Sequence, residues 1–503
     1  MRNKTFRSGI AVMVASMLLQ ILMVVKVIIL ARILDPSDFG LISLTSALMV
    51  LSTLVSGMGM GPALIATKQE PSRAAFHALL ITTWTSSILT FLILVFAPVY
   101  AELFDTNELT EICRWMAIII PLSAITVVAD AILVKEMMFG RRIIPSTAGS
   151  LSNAVTAVIM AYSGFGVWSI VVGHIVGSFV TLMATLIVCP TLRWFMPQKW
   201  DGLLARDMSR FGLTNLGTGL VQCGYEYGDK MVVGKVFGMT DLGFYSQAFH
   251  LSNITVGRIS SSANAVLFPA YAKIQEDTER LAQAFLNSLR LVSVVTMPLA
   301  MGMLLLAPEL VIVVIGEKWR ESIPLLQIFA FIGFIRPVTG SASPLFLAIN
   351  QPQYNLKGAL ILGISMAILL LAVIQWNLAG VAGVALAWVG AYGVAGIYNL
   401  YIIHWRSGLP IRLLDFFLQL FPALIGTLIM MGTLVWLKQP MLYIVGGTHN
   451  ILSLSGLVFA GMLIYGLTLF MIKPSLVLEI IELILSGIGL RGKSSRSVAT
   501  ETL

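Results

Sequence analysis

Residues 34 to 43 read LDPSDFGLIS, and residues 238 to 247 read GMTDLGFYSQ. The motif DFGL at 38–41 matches DLGF at 241–244, at an offset of 203 residues. Further matches follow in the same order at slowly growing offsets, including Pro121 with Pro337 at 216 and GV at 166 with GV at 383. Ordered matches of this kind are typical of a duplicated segment with small insertions, so the sequence predicts two related halves.

The composition predicts a protein that crosses a membrane many times. Of the 503 residues, 57% are hydrophobic and 11% are charged, whereas about 25% are charged in a typical soluble domain. We interpret the apolar run at the N-terminus as a retained first helix rather than a cleaved signal. The three cysteines lie far apart in apolar segments, so we expect packing roles and no metal or disulfide framework.

Spanning helices need about 20 mostly apolar residues, and backbone polar groups within lipid must be satisfied inside the segment. The sequence therefore predicts an all-α polytopic membrane protein with about fourteen transmembrane helices. The segments are 8–30, 39–60, 77–99, 114–134, 143–163, 166–189, 211–236, 243–268, 284–306, 322–347, 356–376, 380–402, 414–437 and 451–472.

The positive charges predict the orientation. With these helices, 22 of the 32 lysine and arginine residues, Arg290 among them, fall on the side of the N-terminus, six fall on the other side, and four lie within helices. Because cytoplasmic loops carry the excess of Lys and Arg, both termini are predicted to be cytoplasmic.

The repeat divides the chain into predicted parts. Residues 1–189 form an N-terminal six-helix bundle and 211–403 a second one that runs in the same direction, a parallel-repeat arrangement found in transporters. Residues 190–210 are predicted to form a cytoplasmic amphipathic linker in the headgroup region, with an ordinary basic loop as the alternative. Two additional helices occupy 404–474, and 475–503 form a disordered cytoplasmic tail.

Enzyme signatures are absent from the sequence. There is no P-loop, no HExxH, no nucleophile elbow and no Gly-rich dinucleotide turn, and the loops are short. The sequence therefore argues against an ATPase and against a glycosyltransferase with its own donor domain. We expect a transporter with no catalytic residue, no metal and no cofactor.

Charged residues inside predicted helices are the candidate functional residues, because charge within a bilayer is costly. Arg258 and Arg336 lie near the middle of their helices, about 15 Å from water at roughly 1.5 Å per residue. We predict that they line a cavity, with a buried ion pair as the alternative. Lys26 and Lys230 lie closer to helix ends, where they can line the cavity or extend to the interface.

Segment 243–268 carries a polar stripe on a regular helical wheel, formed by Gln247, His250 and Arg258. The stripe predicts a face toward a water-filled cavity or toward a polar neighbour. Arg336 precedes Pro337, which is expected to kink its helix and free a carbonyl.

Three acidic residues are candidates for coupling transport to a proton or a sodium ion. Asp229 and Glu226 lie in segment 211–236, and Asp130 lies near the cytoplasmic end of segment 114–134. Glu226 and Lys230 have i, i+4 spacing, so a neutralising intrahelical pair is equally consistent with the pattern. A cationic cavity without an ATP site favours a flippase or exporter of a large anion by alternating access.

Several stretches carry a family resemblance: LARILDPSDFGLISL, GDKMVVGKVFGMTDLGFYSQAFHLSNI, FPAYAKIQED and GVWSIVVG. They resemble the polysaccharide flippases of bacterial surface-glycan assembly, within the multidrug/oligosaccharidyl-lipid/polysaccharide exporter superfamily. The resemblance implies twelve or fourteen helices in two bundles that form a V-shaped cavity. It further implies an inner-membrane protein, with a glycan polymerase and a chain-length regulator as possible partners.

The implied substrate is an undecaprenyl-pyrophosphate-linked oligosaccharide of O-antigen, exopolysaccharide or colanic-acid type, flipped from the cytoplasmic to the periplasmic leaflet. Cationic residues in the cavity would bind its pyrophosphate, and Arg258 and Arg336 fit that role. Asp229 stands where the family often has an acidic residue, although Lys230 beside it is less usual. A cation-coupled drug antiporter of the same superfamily, a membrane glycan polymerase or ligase, and a lipid II flippase remain alternatives.

Overall fold

The computed structural model describes residues 19–189, 198–257, 267–444 and 450–478. These residues form helices joined by short turns and contain no strand. The predicted all-helical class is confirmed for this part of the chain. The helices up to the middle of the chain are α1 (19–33), α2 (Pro36–Gly57), α3 (Met60–Ala66), α4 (Pro71–Leu103), α5 (Glu108–Met116), α6 (Ile119–Lys135), α7 (Phe139–Tyr162), α8 (Trp168–Val188), α9 (Gly202–Phe237) and α10 (Met239–Ser252).

A π-helical turn, Asn253–Gly257, follows α10 directly. A second π-helical turn, Leu310–Ile315, lies between α13 and α14. The remaining helices are α11 (267–272), α12 (Thr278–Leu305), α13 (Ala307–Glu309), α14 (Ser322–Ala330), α15 (Ile332–Ala348), α16 (Gln353–Trp376), α17 (Gly380–Trp405), α18 (Leu413–Ile444), α19 (Ile451–Ile472) and α20 (474–478).

Ten segments of the described chain are long and apolar enough to cross a membrane, and the bent pair α14–α15 makes eleven. They correspond to eleven of the fourteen predicted helices. Of the other three, segments 8–30 and 243–268 extend beyond the described residues, and segment 211–236 lies within α9, which is not among the eleven. The count of fourteen therefore stays a prediction.

The contacts within the chain divide it into two units, 1–246 and 247–503, and the boundary falls inside α10. In the first unit α2 packs along α9. Gly219 and Gly234 of α9 face the side chains of Leu54 and Leu44 of α2. Small residues at these positions let the two helices approach closely, as is common between helices within membranes.

Helix α9 begins nine residues before the predicted segment, at Gly202. Asp201 caps its start, because the Asp201 carboxylate accepts hydrogen bonds from the amides of Leu203 and Leu204 at 3.0 and 3.2 Å. Residues 202–210, predicted as part of a linker, therefore form the first turns of this 36-residue helix.

In the second unit α12 packs against α15, α14 and α18. Helices α18 and α19 are held to the rest of this unit by polar as well as apolar contacts. The Tyr465 hydroxyl donates to the Val294 carbonyl at 2.8 Å, and Lys438 Nζ lies 2.9 Å from Glu309 Oε1. Glu309 is buried, so this ion pair fixes the far end of α18 to α13.

The predicted helix 322–347 is present but broken. Its two parts, α14 and α15, meet at Phe331 with a bend of 43°. Pro337 lies inside α15, and its missing N–H removes the bond to the carbonyl four residues earlier, next to the break. The change of helix direction therefore lies at Phe331, six residues before Pro337.

Candidate functional site

Arg336 lies on α15, about half-way between the start of α14 and the end of α15, and its side chain is half-buried. Its Nη1 donates a hydrogen bond to Asn253 Oδ1 at 3.0 Å. Its guanidinium carbon lies 6.0 Å from the centre of the Tyr392 ring on α17. The charge is therefore held by a neutral acceptor and an aromatic face, neither of which cancels it.

The π-helical turn Asn253–Gly257 supplies Asn253. Such turns insert an extra residue into a helix and occur frequently at functional sites. The regular wheel used to predict a polar stripe therefore does not apply beyond Ser252. Arg258 and the rest of segment 258–266 lie outside the described residues, so the predicted role of Arg258 stays a prediction.

Aromatic side chains support the Tyr392 ring. Tyr392 stacks on Trp388 at 5.6 Å between ring centres, and Trp388 lies 5.6 Å from Phe249 of α10. Trp388 is only 1% exposed. An aromatic stack with the buried Trp388 at its centre thus restricts the position of the Tyr392 ring beside Arg336, since close-packed aromatic rings have few alternative positions.

The two other predicted stripe residues lie in different environments on α10. Gln247 is buried, and its Nε2 has no hydrogen-bond partner among the described residues. His250 is exposed. An unsatisfied buried amide is costly, which makes Gln247 a candidate for contact with a ligand or water.

Lys26 is buried within the first unit, at 8% exposure. Its ammonium donates a 2.5 Å hydrogen bond to Asn153 Oδ1 on α7, and Asn153 is equally buried. Lys26 therefore does not extend to the helix end, although the sequence allowed it. As at Arg336, a cation is held by a neutral amide.

The charges of α9 have separate partners. Asp229 is 1% exposed, and its carboxylate accepts a hydrogen bond from the Tyr245 hydroxyl at 2.6 Å. Lys230 donates to the Glu226 main-chain carbonyl at 3.1 Å and lies 4.4 Å over the Tyr227 ring. The Glu226 carboxylate accepts from Gln222 at 3.1 Å. Asp229 is thus the deeply buried carboxylate of the three coupling candidates.

Asp130, the third candidate, lies near the end of α6 in a two-pronged ion pair. Its two oxygens accept from Arg142 Nε and Nη2 at 2.7 and 2.9 Å. Both side chains are more than a third exposed. This fork geometry is typical of a structural ion pair.

Sequence reasoning missed the partners of these charges, namely Asn153, Asn253, Tyr245 and Tyr392. It also counted Arg290 with the cytoplasmic loop residues, whereas Arg290 lies twelve residues inside α12. The four partner residues have only a weak signal in the sequence, because single Asn and Tyr residues in apolar segments are common. No group of three or more metal-ligating side chains occurs within the described residues.

The family comparison decides the classification. The family described as Polysaccharide biosynthesis protein matches residues 29–324, more than half of the chain. The chain belongs to this polysaccharide biosynthesis family. It is a membrane transport protein, as predicted.

Characterised relatives are similar over most of their length. The succinoglycan biosynthesis transport protein ExoT of Rhizobium meliloti (strain 1021) is 28% identical over 306 residues, which is 61% of this chain and 61% of ExoT. The lipopolysaccharide biosynthesis protein WzxC of Escherichia coli (strain K12) is 22% identical, over 71% of this chain and 72% of WzxC. The teichuronic acid biosynthesis protein TuaB of Bacillus subtilis (strain 168) is 24% identical, over 80% and 81%.

Solved structures show the fold. The lipid II flippase MurJ in an inward closed conformation superposes with a TM-score of 0.74 at 17% identity, over 93% of this chain and all of that one. An inward-facing multidrug resistance transporter of the MATE family gives 0.65 at 20% identity, over 77% and 94%. The predicted family, proteins of bacterial polysaccharide biosynthesis, is confirmed by the family match, and these structures show that the chain shares the fold of MurJ and of the MATE transporter.

Proposed function

We propose that this protein flips an undecaprenyl-pyrophosphate-linked oligosaccharide from the cytoplasmic to the periplasmic leaflet of the inner membrane by alternating access. The oligosaccharide would be a repeat unit of a surface glycan of O-antigen, exopolysaccharide or colanic-acid type. The names of the relatives, which concern succinoglycan, lipopolysaccharide and teichuronic acid, support a surface glycan over a drug.

The observation that carries the proposal is the environment of Arg336. The guanidinium is half-buried at mid-span and is held by the exposed, neutral side chain of Asn253. Polar groups at this depth are stable where they face water or a polar ligand rather than lipid. A cation without charge compensation from these contacts would bind an anionic group, and the pyrophosphate is the anionic group of such a lipid.

Lys26, Lys230, Gln247, His250 and Arg258 would contribute further contacts to the same substrate. Lys26 supports this role best, because its buried ammonium is held by an amide rather than by a carboxylate. A diphosphate close to Lys26 would be attracted strongly to the ammonium, because the amide at this contact does not neutralise its charge.

Asp229 is the favoured coupling carboxylate, ahead of Glu226 and Asp130. It is buried beside the Tyr245 hydroxyl, which can follow a change in its protonation. Burial makes the charge on a carboxylate sensitive to its surroundings, as coupling to a proton or sodium ion requires. Asp130 is already occupied by Arg142.

The test is complementation of a gene deletion. Deletion should abolish the surface glycan and cause the undecaprenyl-linked repeat unit to accumulate, and wild type should restore the glycan. Arg336→Ala and Arg258→Ala should fail to restore it at normal expression. Arg320→Ala is a matched control, because Arg320 is exposed and paired with Glu317 three residues away.

The outcomes separate the candidate functions. Normal glycan in the deletion strain with altered sensitivity to toxic cations would favour an antiporter. Loss of glycan with full rescue by Arg336→Ala would reject the pyrophosphate site.

A further inference from the structure

We propose that Asn253 and Gly257 are positioning residues that hold the Arg336 guanidinium ready for an anionic, phosphate-containing group. This inference deepens the proposed function and rests on it. It concerns the two ends of the π-helical turn, which lie four residues apart in sequence and both face the same guanidinium.

The first argument is the chemistry of the acceptor. Asn253 Oδ1 accepts one N–H of Arg336 at 3.0 Å, which orients the planar fork and leaves its other donors for a ligand. An aspartate would make a stronger bond at the same distance but would neutralise the charge. Asparagine therefore fixes direction and preserves positive charge, and an anion site needs both.

The second argument is the space at Gly257. A Cβ at this position would lie closer than 3.0 Å to both Asn253 Oδ1 and Arg336 Nη1. The atoms that it would meet are the ends of side chains, which can move aside, and not the backbone. Alanine at 257 should therefore displace the guanidinium from Asn253 while leaving the packing of the helices intact.

The third argument is the opposite side of the guanidinium. The Tyr392 ring lies 6.0 Å away and is backed by Trp388. The Tyr392 ring limits how far the Arg336 guanidinium can move toward α17 when it is displaced from Asn253. The π-helical turn and the Tyr392 ring therefore flank the guanidinium on two sides.

The test uses the purified full-length protein in detergent and isothermal titration with inorganic pyrophosphate. Gly257→Ala and Asn253→Asp should weaken pyrophosphate binding by about tenfold or more, close to the effect of Arg336→Ala. Their thermal midpoints should stay at the wild-type value. Gly393→Ala is the matched control, since Gly393 lies next to Tyr392 and nothing lies within 4 Å of its Cβ position.

A double-variant cycle separates positioning from a general structural effect. In an Arg336→Lys background the planar guanidinium is absent, so adding Gly257→Ala should cause little further loss of pyrophosphate affinity. An equal loss in both backgrounds would overturn the positioning role, and so would wild-type binding by Asn253→Asp.

The failures of the two proposals are distinguishable. If Arg336→Ala weakens pyrophosphate binding while Asn253→Asp and Gly257→Ala do not, the positioning role is rejected and the proposed function stands. If Arg336→Ala binds pyrophosphate as wild type does, the pyrophosphate site itself is rejected, and the positioning role with it.

Discussion

The Ser43 hydroxyl donates a hydrogen bond to the Ser246 hydroxyl at 2.6 Å, and the two serines are 203 residues apart. This is the offset that relates DFGL at 38–41 to DLGF at 241–244. Equivalent positions of the two related stretches therefore meet each other in the folded chain.

The glycines of the same stretches make reciprocal contacts. The backbone of Gly40 lies against the carbonyl of Met239, and the backbone of Gly243 lies against the carbonyl of Pro36. Each carbonyl belongs to the residue four before the other glycine. Such an exchange is expected around a local two-fold axis, and it explains why both stretches need glycine at this position.

Gly40→Ala and Gly243→Ala should each destabilise the protein by about 1–3 kcal/mol, because the new Cβ would overlap a backbone carbonyl that cannot rotate away. Gly57→Ala, in the same helix as Gly40, has open space and should be neutral or slightly stabilising. Thermal unfolding in detergent measures the difference. Equal midpoints for Gly40→Ala and Gly57→Ala would show that the close contact does not persist in the protein.

Asn153→Leu should cost more stability than Lys26→Met. The first substitution leaves a buried ammonium without its amide acceptor, at a cost of roughly 3 kcal/mol or more, whereas the second leaves a buried neutral amide at about 1–3 kcal/mol. The double variant should recover part of the loss. Lys235→Met, which removes an exposed ion pair with Asp105, serves as the control and should change stability by less than about 1 kcal/mol. The opposite ranking of the two single variants would contradict a charged Lys26.

Tyr245→Phe should lower stability by about 1.5–3 kcal/mol, the usual contribution of a hydrogen bond to a charged group. Asp229→Asn in the Tyr245→Phe background should add little, because the two side chains act as a pair. Tyr162→Phe removes an exposed hydroxyl at the end of α7 and provides the control. Additive losses for the Tyr245 and Asp229 variants would argue against a coupled pair.

Stability should fall in acid through Asp201. The Leu204 amide, then the Leu203 amide and the Arg73 guanidinium, lower the pKa of the Asp201 carboxyl. The Asp201 carboxylate binds a proton more weakly in the folded protein than in the unfolded chain. Its contribution to the free energy of unfolding is therefore complete above the unfolded pKa of about 4 and is lost as pH falls through the lower folded pKa. Unfolding midpoints measured between pH 7 and pH 3 should show a smaller acid-induced loss for Asp201→Asn than for wild type. An unchanged profile for Asp201→Asn would contradict the assignment.

The sequence predicted most of the spanning helices but not the contacts of the charged side chains that they carry. Length and apolar content locate a spanning segment. The predicted segment 322–347 therefore agrees with the start of α14 and the end of α15. The π-helical turn at Asn253 has no periodic signature, because its geometry depends on the packing around it. Arg336 was found from its depth alone, whereas Asn253, 83 residues away, required the fold. The start of α9 was missed because the charges of 206–210 resemble a loop, although Asp201 caps a helix there.

The packing of α9 on α2 has a consequence for biosynthesis. Gly219 and Gly234 of α9 cover Leu54 and Leu44, yet α2 is complete long before the ribosome reaches Gly202. During that interval the covered face of α2 has only lipid or the insertion machinery against it. Translation must therefore pass beyond Phe237 before the contact between α2 and α9 can form and the first unit can close.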